Sequence, residues 1–227
     1  MKIGIICADD NEVIPVIEAM KVTKITEKAM LKFYEGKLCG KDVVALYCGV
    51  CRVNAAIGTQ LLIDMFNVDI VINEGVAGGI DPEVKVFDTV VSTEVTYRDI
   101  QEGVLTDYHP WMKSEWFKSD ERLVEIMREV ASSVKTKGTI RFGKTLTSEY
   151  FVDDEGRDEI ISRFDPLSVD METAGMAHVC YVNEVPFISI RSITDTAEHS
   201  GSANYEENLQ EAVLIVRDIV MEFIKRY

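Results

Sequence analysis

The chain is poor in positive charge. Its 227 residues carry 24 Lys and Arg against 39 Asp and Glu, a formal net charge of −15. A surface this acidic does not neutralise phosphates, which argues against nucleic acid as a partner and equally against an anionic membrane surface. Long hydrophobic runs are also missing, and no segment approaches the roughly 20 apolar residues of a membrane span. The N-terminus lacks the basic region and apolar stretch of a secretory signal, since Asp9 and Asp10 follow Cys7 almost at once. Cytoplasmic residence is therefore the expectation. Histidine is scarce: His109, His178 and His199 lie far apart and form no helical pair of ligands, so no metal is expected. His199 reads as a solvated loop residue. The five cysteines (Cys7, Cys39, Cys48, Cys51 and Cys180) are odd in number and mostly in apolar surroundings, so they read as reduced thiols rather than a disulfide framework. There is no repeat, linker or low-complexity stretch.

Hydrophobic residues make up 47% of the chain, enough for one globular domain spanning residues 1–227 with a full core. Lys2 to Cys7 reads as a buried strand. Asp10 to Met20 follows with apolar residues at helical spacing. Leu31–Leu38 and Asp42–Cys48 read as strands joined by the turn-like Cys39-Gly40-Lys41. Val53 to Phe66 is a helix, Asp69 to Asn73 a short buried strand, and Val84 to Val95 a longer one. Asp120 to Val134, Asp153 to Arg163, Glu172 to Val182 and Glu206 to Arg226 read as helices, and Thr139 to Thr147 as extended chain. Strands alternate with helices from end to end, which predicts a sheet covered by helices on both faces. The irregular segment from Gln101 to Lys118 carries His109, Pro110, Trp111, Trp116 and Phe117, and reads as a lid or a subunit contact.

Two acidic signatures stand out. Val169-Asp170-Met171-Glu172-Thr173 is one. The other is Ser192-Ile193-Thr194-Asp195-Thr196-Ala197-Glu198, which follows the strand-like Pro186–Arg191. Asp195 falls where a short strand gives way to a polar loop, the place where open α/β sheets bind ligands. Glu12, just after the first strand, adds a third acid. Singly, Glu12 reads equally as a helix first-turn acid and Asp195 as a cap; grouped with Glu172 and Arg191 near strand ends, they read as a site. Gly75-Val76-Ala77-Gly78-Gly79 reads as a glycine-rich loop after the Asp69–Asn73 strand. Its spacing is wrong for a dinucleotide fingerprint, and it serves either ligand approach or a tight turn. Cys48-Gly49-Val50-Cys51 has the spacing of a redox motif. The chain is much longer than a thioredoxin-like domain needs, however, and lacks the tryptophan usual before that motif, so redox function is disfavoured.

In these motifs, taken in order, the chain resembles the 5′-methylthioadenosine/S-adenosylhomocysteine nucleosidase family of the nucleoside phosphorylase superfamily. The matching residues are Met1–Ile6 with Glu12, Cys48-Gly49-Val50, Asn73-x-Gly75-x-Ala77-Gly78-Gly79, Val169-x-Met171-Glu172 and Arg191-Ser192-Ile193-x-Asp195. The resemblance runs from Met1 to the last helix. It implies a three-layer α/β/α fold with a central mixed sheet, a homodimer, no cofactor, and hydrolysis of the bond between adenine and ribose.

By the same resemblance, Asp195 would be the general acid toward N7 of the adenine. Glu12 would polarise the attacking water, and Arg191 would help hold Glu12 and that water. Glu172 would bind the ribose hydroxyls, with Met171 packed on the sugar. Phe151 would stack on the base and the Val152 backbone would bond its edge. Val50 and Val76 would line the substrate site, and Tyr205 would close over the 5′ side. A protonated Asp195 near neutral pH needs burial or carboxylate neighbours to raise its pKa, with Thr194 or Thr196 as a tuning hydroxyl. The first loop has no arginine and Glu74 precedes the glycines, which favours water over phosphate as nucleophile.

The chain departs from the family at Val76, where a small hydroxyl residue is usual. It departs again at Glu74, at Asp9, where an apolar residue often packs near the sugar, and at Arg98 and Glu102, expected near the 5′ pocket. These departures leave three other readings: a nucleosidase for a different 5′ group, a phosphate-dependent phosphorylase, or a nucleoside-binding protein without catalysis.

Overall fold

The apolar run Lys2–Cys7 forms β1, and its neighbours on either side are parallel strands, β4 (Lys41–Tyr47) and β5 (Ile70–Gly79). The computed structural model describes residues 1–109, 112–152, 156–198 and 202–227, with Ser202 described by its backbone alone. Outward from β4 run β3 (Leu31–Leu38) and β2 (Lys21–Lys28), both antiparallel. On the other side β5 pairs in parallel with β10 (Phe187–Asp195), which pairs antiparallel with β6 (Thr89–Tyr97). β6 continues into β8 (Ile140–Thr147), then β9 (Ser168–Asp170), and β9 returns to β5. Half of the mixed sheet therefore closes on itself as a ring β5–β10–β6–β8–β9, with the short β7 (Phe117–Lys118) attached to β6.

Helices cover both faces, as the alternation of elements predicts. Residues of α1 (Asp10–Ala19), α4 (Glu121–Ser133) and α7 (Ser202–Arg226) pack with Ile3, Ile5, Ile70 and Ile72 on one side. Residues of α2 (Arg52–Phe66) and α6 (Thr173–Val182) pack with Ile6, Leu46 and Val71 on the other. A third cluster joins Ile160 of α5 (Arg157–Phe164) to Leu146 and Val169. The odd and even positions of β1 and β5 thus serve opposite layers, the period of a strand buried on both faces.

Four predicted elements need correction. β2 is absent from the sequence reading because Lys21–Lys28 has only Val22 and Ile25 as aliphatic residues and is mostly exposed. It is an edge strand, and its lysines oppose pairing with another chain. The glycine segment is not a loop. β5 runs unbroken from Ile70 to Gly79, and its glycines mark places where side chains of neighbouring elements press on the strand. The strand expected over Val84–Val95 begins only at Thr89, because Val84 and Asp88 donate backbone hydrogen bonds to Asp81 and Lys85 in turns. Within Gln101–Lys118, Leu105, Met112 and Phe117 are buried in the α2/α6 core and the short α3 (Val104–Asp107) intervenes, so these three positions anchor a segment whose other described residues are exposed or partly buried. Pro110, Trp111, His199 and the predicted helix start at Asp153 lie outside the described residues.

Candidate active site

The carboxyl ends of the parallel neighbours β1, β5 and β10 open into one cavity of about 320 Å³. Every residue expected at the site lines it: Glu12, Val50, Val76, Phe151, Val152, Met171, Glu172, Arg191, Asp195 and Tyr205. Phe151 is half exposed, whereas Val152 is buried. The cavity also takes in Asp9, Asp170 and Glu206, which leaves Arg191 as the one basic residue among its described lining residues.

Glu12 enters the site from the first turn of α1. Asp9 caps that helix by accepting the Glu12 N–H at 3.1 Å, and the Glu12 carboxylate reaches back to the Asp9 N–H at 3.3 Å, a reciprocal capping box. The same carboxylate accepts the Ala8 N–H at 2.6 Å and the Val76 N–H at 2.8 Å. Glu12 is therefore a first-turn capping acid and a cavity-lining residue at once. A Cβ on Gly75 would collide with this carboxylate, which explains the glycine there. Burial raises the Glu12 pKa to about 7. Arg191 opposes that rise, and Glu172 and Asp9 add to it.

Arg191 is buried at the centre. Its Nε donates to Asn73 Oδ1 at 2.9 Å and its Nη1 to the Val76 carbonyl at 2.7 Å. Nη2 lies 3.1 Å from Glu172 Oε2, and Nε lies 3.5 Å from Asp170 Oδ2. Burial works against its charge, but Asp170, Glu172 and Glu12 outweigh that and hold the guanidinium more firmly protonated than usual. Glu172 stands at the N-cap of α6, and its Oε1 accepts the Cys51 N–H at 3.0 Å. Its pKa is raised, first by burial, with Arg191 pulling it down and Asp170 pushing it up.

Asp195 ends β10, 2% exposed, with Oδ1 accepting from the Thr194 hydroxyl at 2.8 Å. Gly78 leaves room beside it: a Cβ there would sit 3.1 Å from Asp195 Oδ2. Burial raises the Asp195 pKa, while the Thr194 hydrogen bond and Arg157 lower it. The expected carboxylate neighbours are not among these causes. Thr194 tunes the group toward the anion and burial holds it toward the acid.

The sequence reading missed the framework that holds these groups. Asp170 Oδ1 accepts from Thr147 Oγ1 at 2.8 Å and from the Glu172 and Thr173 N–H groups at 3.1 and 3.0 Å, and Thr173 Oγ1 closes on Oδ2. Asn73 Oδ1 collects Arg191, Ser189 and Thr173. Asp170 is visible as an acid two residues before Glu172 in the same signature, and Asn73 as the first residue of the matching Asn73-x-Gly75 motif, but neither signal says what the side chain holds.

Glu74 requires a correction. It is fully buried and does not line the cavity; its carboxyl has no hydrogen-bond partner among the described residues. Burial, and then the Glu12 charge, push its pKa well up, and a carboxyl away from the cavity carries no argument against phosphate. Arg98 and Glu102 are not among the described residues lining the cavity either. Cys48 is buried with its thiol toward the Cys7 and Gly49 carbonyls, its pKa raised by burial. Cys51 adopts φ 82° and so turns its N–H to Glu172. The paired cysteines thus shape the site's backbone. His178 meets the Tyr97 hydroxyl at 3.1 Å, away from the cavity.

A mixed sheet covered by helices, with one acid-lined cavity at the carboxyl ends of its parallel strands, defines an α/β class to which comparison with known proteins gives a family. The sequence model of the phosphorylase superfamily matches residues 2–225. The chain is 38% identical over its full length, and 98% of the relative's, to a 5′-methylthioadenosine/S-adenosylhomocysteine nucleosidase of Exiguobacterium. The nucleosidase of Neisseria meningitidis, solved with methylthio-immucillin-A, superposes with TM-score 0.91 at 30% identity, covering 100% of this chain and 99% of that one. That of Colwellia psychrerythraea, solved with adenine, gives TM-score 0.90 at 32% identity, covering 100% and 95%. The chain belongs to the phosphorylase superfamily and, within it, to the 5′-methylthioadenosine/S-adenosylhomocysteine nucleosidase family.

Proposed function

We propose that the protein hydrolyses the N-glycosidic bond of adenine nucleosides, 5′-methylthioadenosine and S-adenosylhomocysteine among them, and releases adenine and the free thiosugar. The observation that carries this reading is the placement, in one cavity, of the Glu12 carboxyl, poised near neutrality, and the Asp195 carboxyl, whose pKa burial also raises. Two buried carboxyl groups on one cavity can serve as the base and the acid of one reaction.

Asp195 donates its proton to N7 of the purine as the C1′–N9 bond breaks and the bonding pair leaves with adenine. Glu12 and Glu172 face the sugar and stabilise its developing positive charge. Water adds its oxygen to C1′ and gives a proton to Glu12, and solvent then restores both carboxyl groups. Glu172 binds the 2′- and 3′-hydroxyls and Met171 packs on the ribose. Phe151 stacks on the base, whose edge meets the Val152 backbone, while Val50 and Val76 fill out the walls. Tyr205 covers the 5′ side. Arg191 is a positioning residue for Glu172 and Glu12.

Water is favoured over phosphate because the only basic side chain among the described lining residues, Arg191, is already engaged by Asn73, the Val76 carbonyl, Glu172 and Asp170. We place the protein in the cytoplasm as a single catalytic domain in a homodimer. Exposed Val53, Ile57 and Met65 of α2 and Tyr181 and Val182 of α6 supply an apolar surface for the subunit contact.

Chromatography of purified protein incubated with methylthioadenosine, S-adenosylhomocysteine, 5′-deoxyadenosine and adenosine, with and without phosphate, tests this. Adenine and free sugar in the absence of phosphate are expected. A sugar phosphate formed only with phosphate present would make the protein a phosphorylase.

A further inference from the structure

The cavity has an acidic wall that the proposed reaction does not use. Asp9, Tyr205 and Glu206 are among the cavity's lining residues, and Asp9 is near enough to Tyr205 for its charge to bear on the phenol. Asp9 is half-buried, and its Oδ1 caps α1 through the Glu12 N–H at 3.1 Å. The Tyr205 phenol is held protonated first by burial and next by the nearby charges of Asp9 and Glu12. This wall therefore presents carboxylates and a neutral hydroxyl. No cation among the described lining residues is available to it, since Arg191 is committed to Glu172, Asp170, Asn73 and the Val76 carbonyl. With the purine at Asp195, the diol at Glu172 and the anomeric carbon before Glu12, the wall left for the exocyclic C5′ is that of Asp9, Tyr205 and Glu206.

We propose that Asp9 is a specificity-determining residue whose carboxylate accepts a hydrogen bond from a donor on the 5′ carbon, a hydroxyl or an ammonium. The site then takes adenine nucleosides with a donor-bearing or cationic 5′ group beside the thioethers, and rejects those with an anionic one. An ammonium gains from the Asp9 carboxylate, whereas a 5′-phosphate meets like charge there. The inference rests on the proposed placement of adenine nucleosides in this cavity.

The test compares kcat/KM for 5′-amino-5′-deoxyadenosine, adenosine, methylthioadenosine and adenosine 5′-monophosphate in the wild type and in Asp9→Asn. Asparagine keeps an oxygen to cap α1 and removes the charge, and Asp9→Ser, also a good cap, gives the same readout should the first variant not fold. The ratio of 5′-amino to methylthio substrate is expected to fall about tenfold in either variant, the worth of one charge-assisted hydrogen bond. Discrimination against the monophosphate is expected to weaken. A ratio unmoved by the substitution while methylthioadenosine is still hydrolysed overturns the role of Asp9 and leaves the reaction standing. No adenine from any of the four overturns the reaction itself, and the role of Asp9 with it.

Discussion

The carboxylate of Glu12 occupies the space where a side chain on Gly75 would stand. β5 approaches α1 that closely because the next residue, Val76, gives its N–H to the same carboxylate at 2.8 Å. Gly75→Ala therefore has to move Glu12 or the strand. Overpacking of this kind costs about 1–3 kcal/mol, and misplacing a catalytic group by about 1 Å costs about 100-fold in rate. Denaturant melts and kcat on methylthioadenosine check both, and a fully active Gly75→Ala enzyme would remove Glu12 from the reacting position.

Glu12 also sets a pH dependence. In the proposed reaction it accepts a proton from water and works as the anion, so kcat/KM is expected to have an acid limb rising through pH about 7. Stability runs the other way. The folded pKa of about 7 lies above the ordinary 4.5, so below pH 4.5 both states are protonated and nothing is lost. Between 4.5 and 7 the unfolded chain releases a proton that the folded chain keeps, and stability falls by about 3 kcal/mol from this group. Glu172, Asp195 and Glu74, also raised, contribute with the same sign. Urea midpoints measured from pH 4.5 to 8 should decline, less steeply in Glu12→Gln.

Asp195 is expected to set the opposite limb, because the proposed reaction needs its proton. The Thr194 hydroxyl favours its anion, so Thr194→Val raises the Asp195 pKa further and shifts the alkaline limb to higher pH. A pH–rate profile reads this directly. A limb that stays in place would separate Thr194 from the acid. Asp195→Asn, which cannot give up a proton, should lose about 100- to 10,000-fold in kcat while still binding adenine.

Arg191 is the one charge that balances Asp170 and Glu172 in the buried framework, at 3.5 and 3.1 Å. Replacing it by Met leaves those carboxylates without a counter-charge, and breaking a buried pair in this way costs about 3–5 kcal/mol. Thermal melts at pH 7 are expected to show this loss, with partial relief at lower pH, where Glu172, its pKa already raised by burial, takes up a proton.

The sequence carried most of this because its information is local. Helical spacing located α1, α2, α4 and α7, and the two acidic signatures lie where strands end. The edge strand β2 escaped because solvent on both sides removes the alternation that marks a strand. The glycines of β5 looked like a loop because glycine is common in turns. Their cause is three-dimensional: Glu12, Asp195, Val84 and Thr196 press on that strand from other elements. Glu74 looked like a charge facing phosphate, but strand alternation turns it into the core, where burial pushes its pKa well up. The roles of Asn73 and Asp170 depend on partners 118 and 23 residues away and on one another, which no linear pattern displays.

Adenine release from methylthioadenosine in phosphate-free buffer, by the wild type, Glu12→Gln and Asp195→Asn side by side, tests the central claim most directly. Release by the wild type at a rate indifferent to added phosphate is expected, with losses of about 100-fold or more in each variant. Release that requires phosphate, or a variant as fast as the wild type, would contradict it.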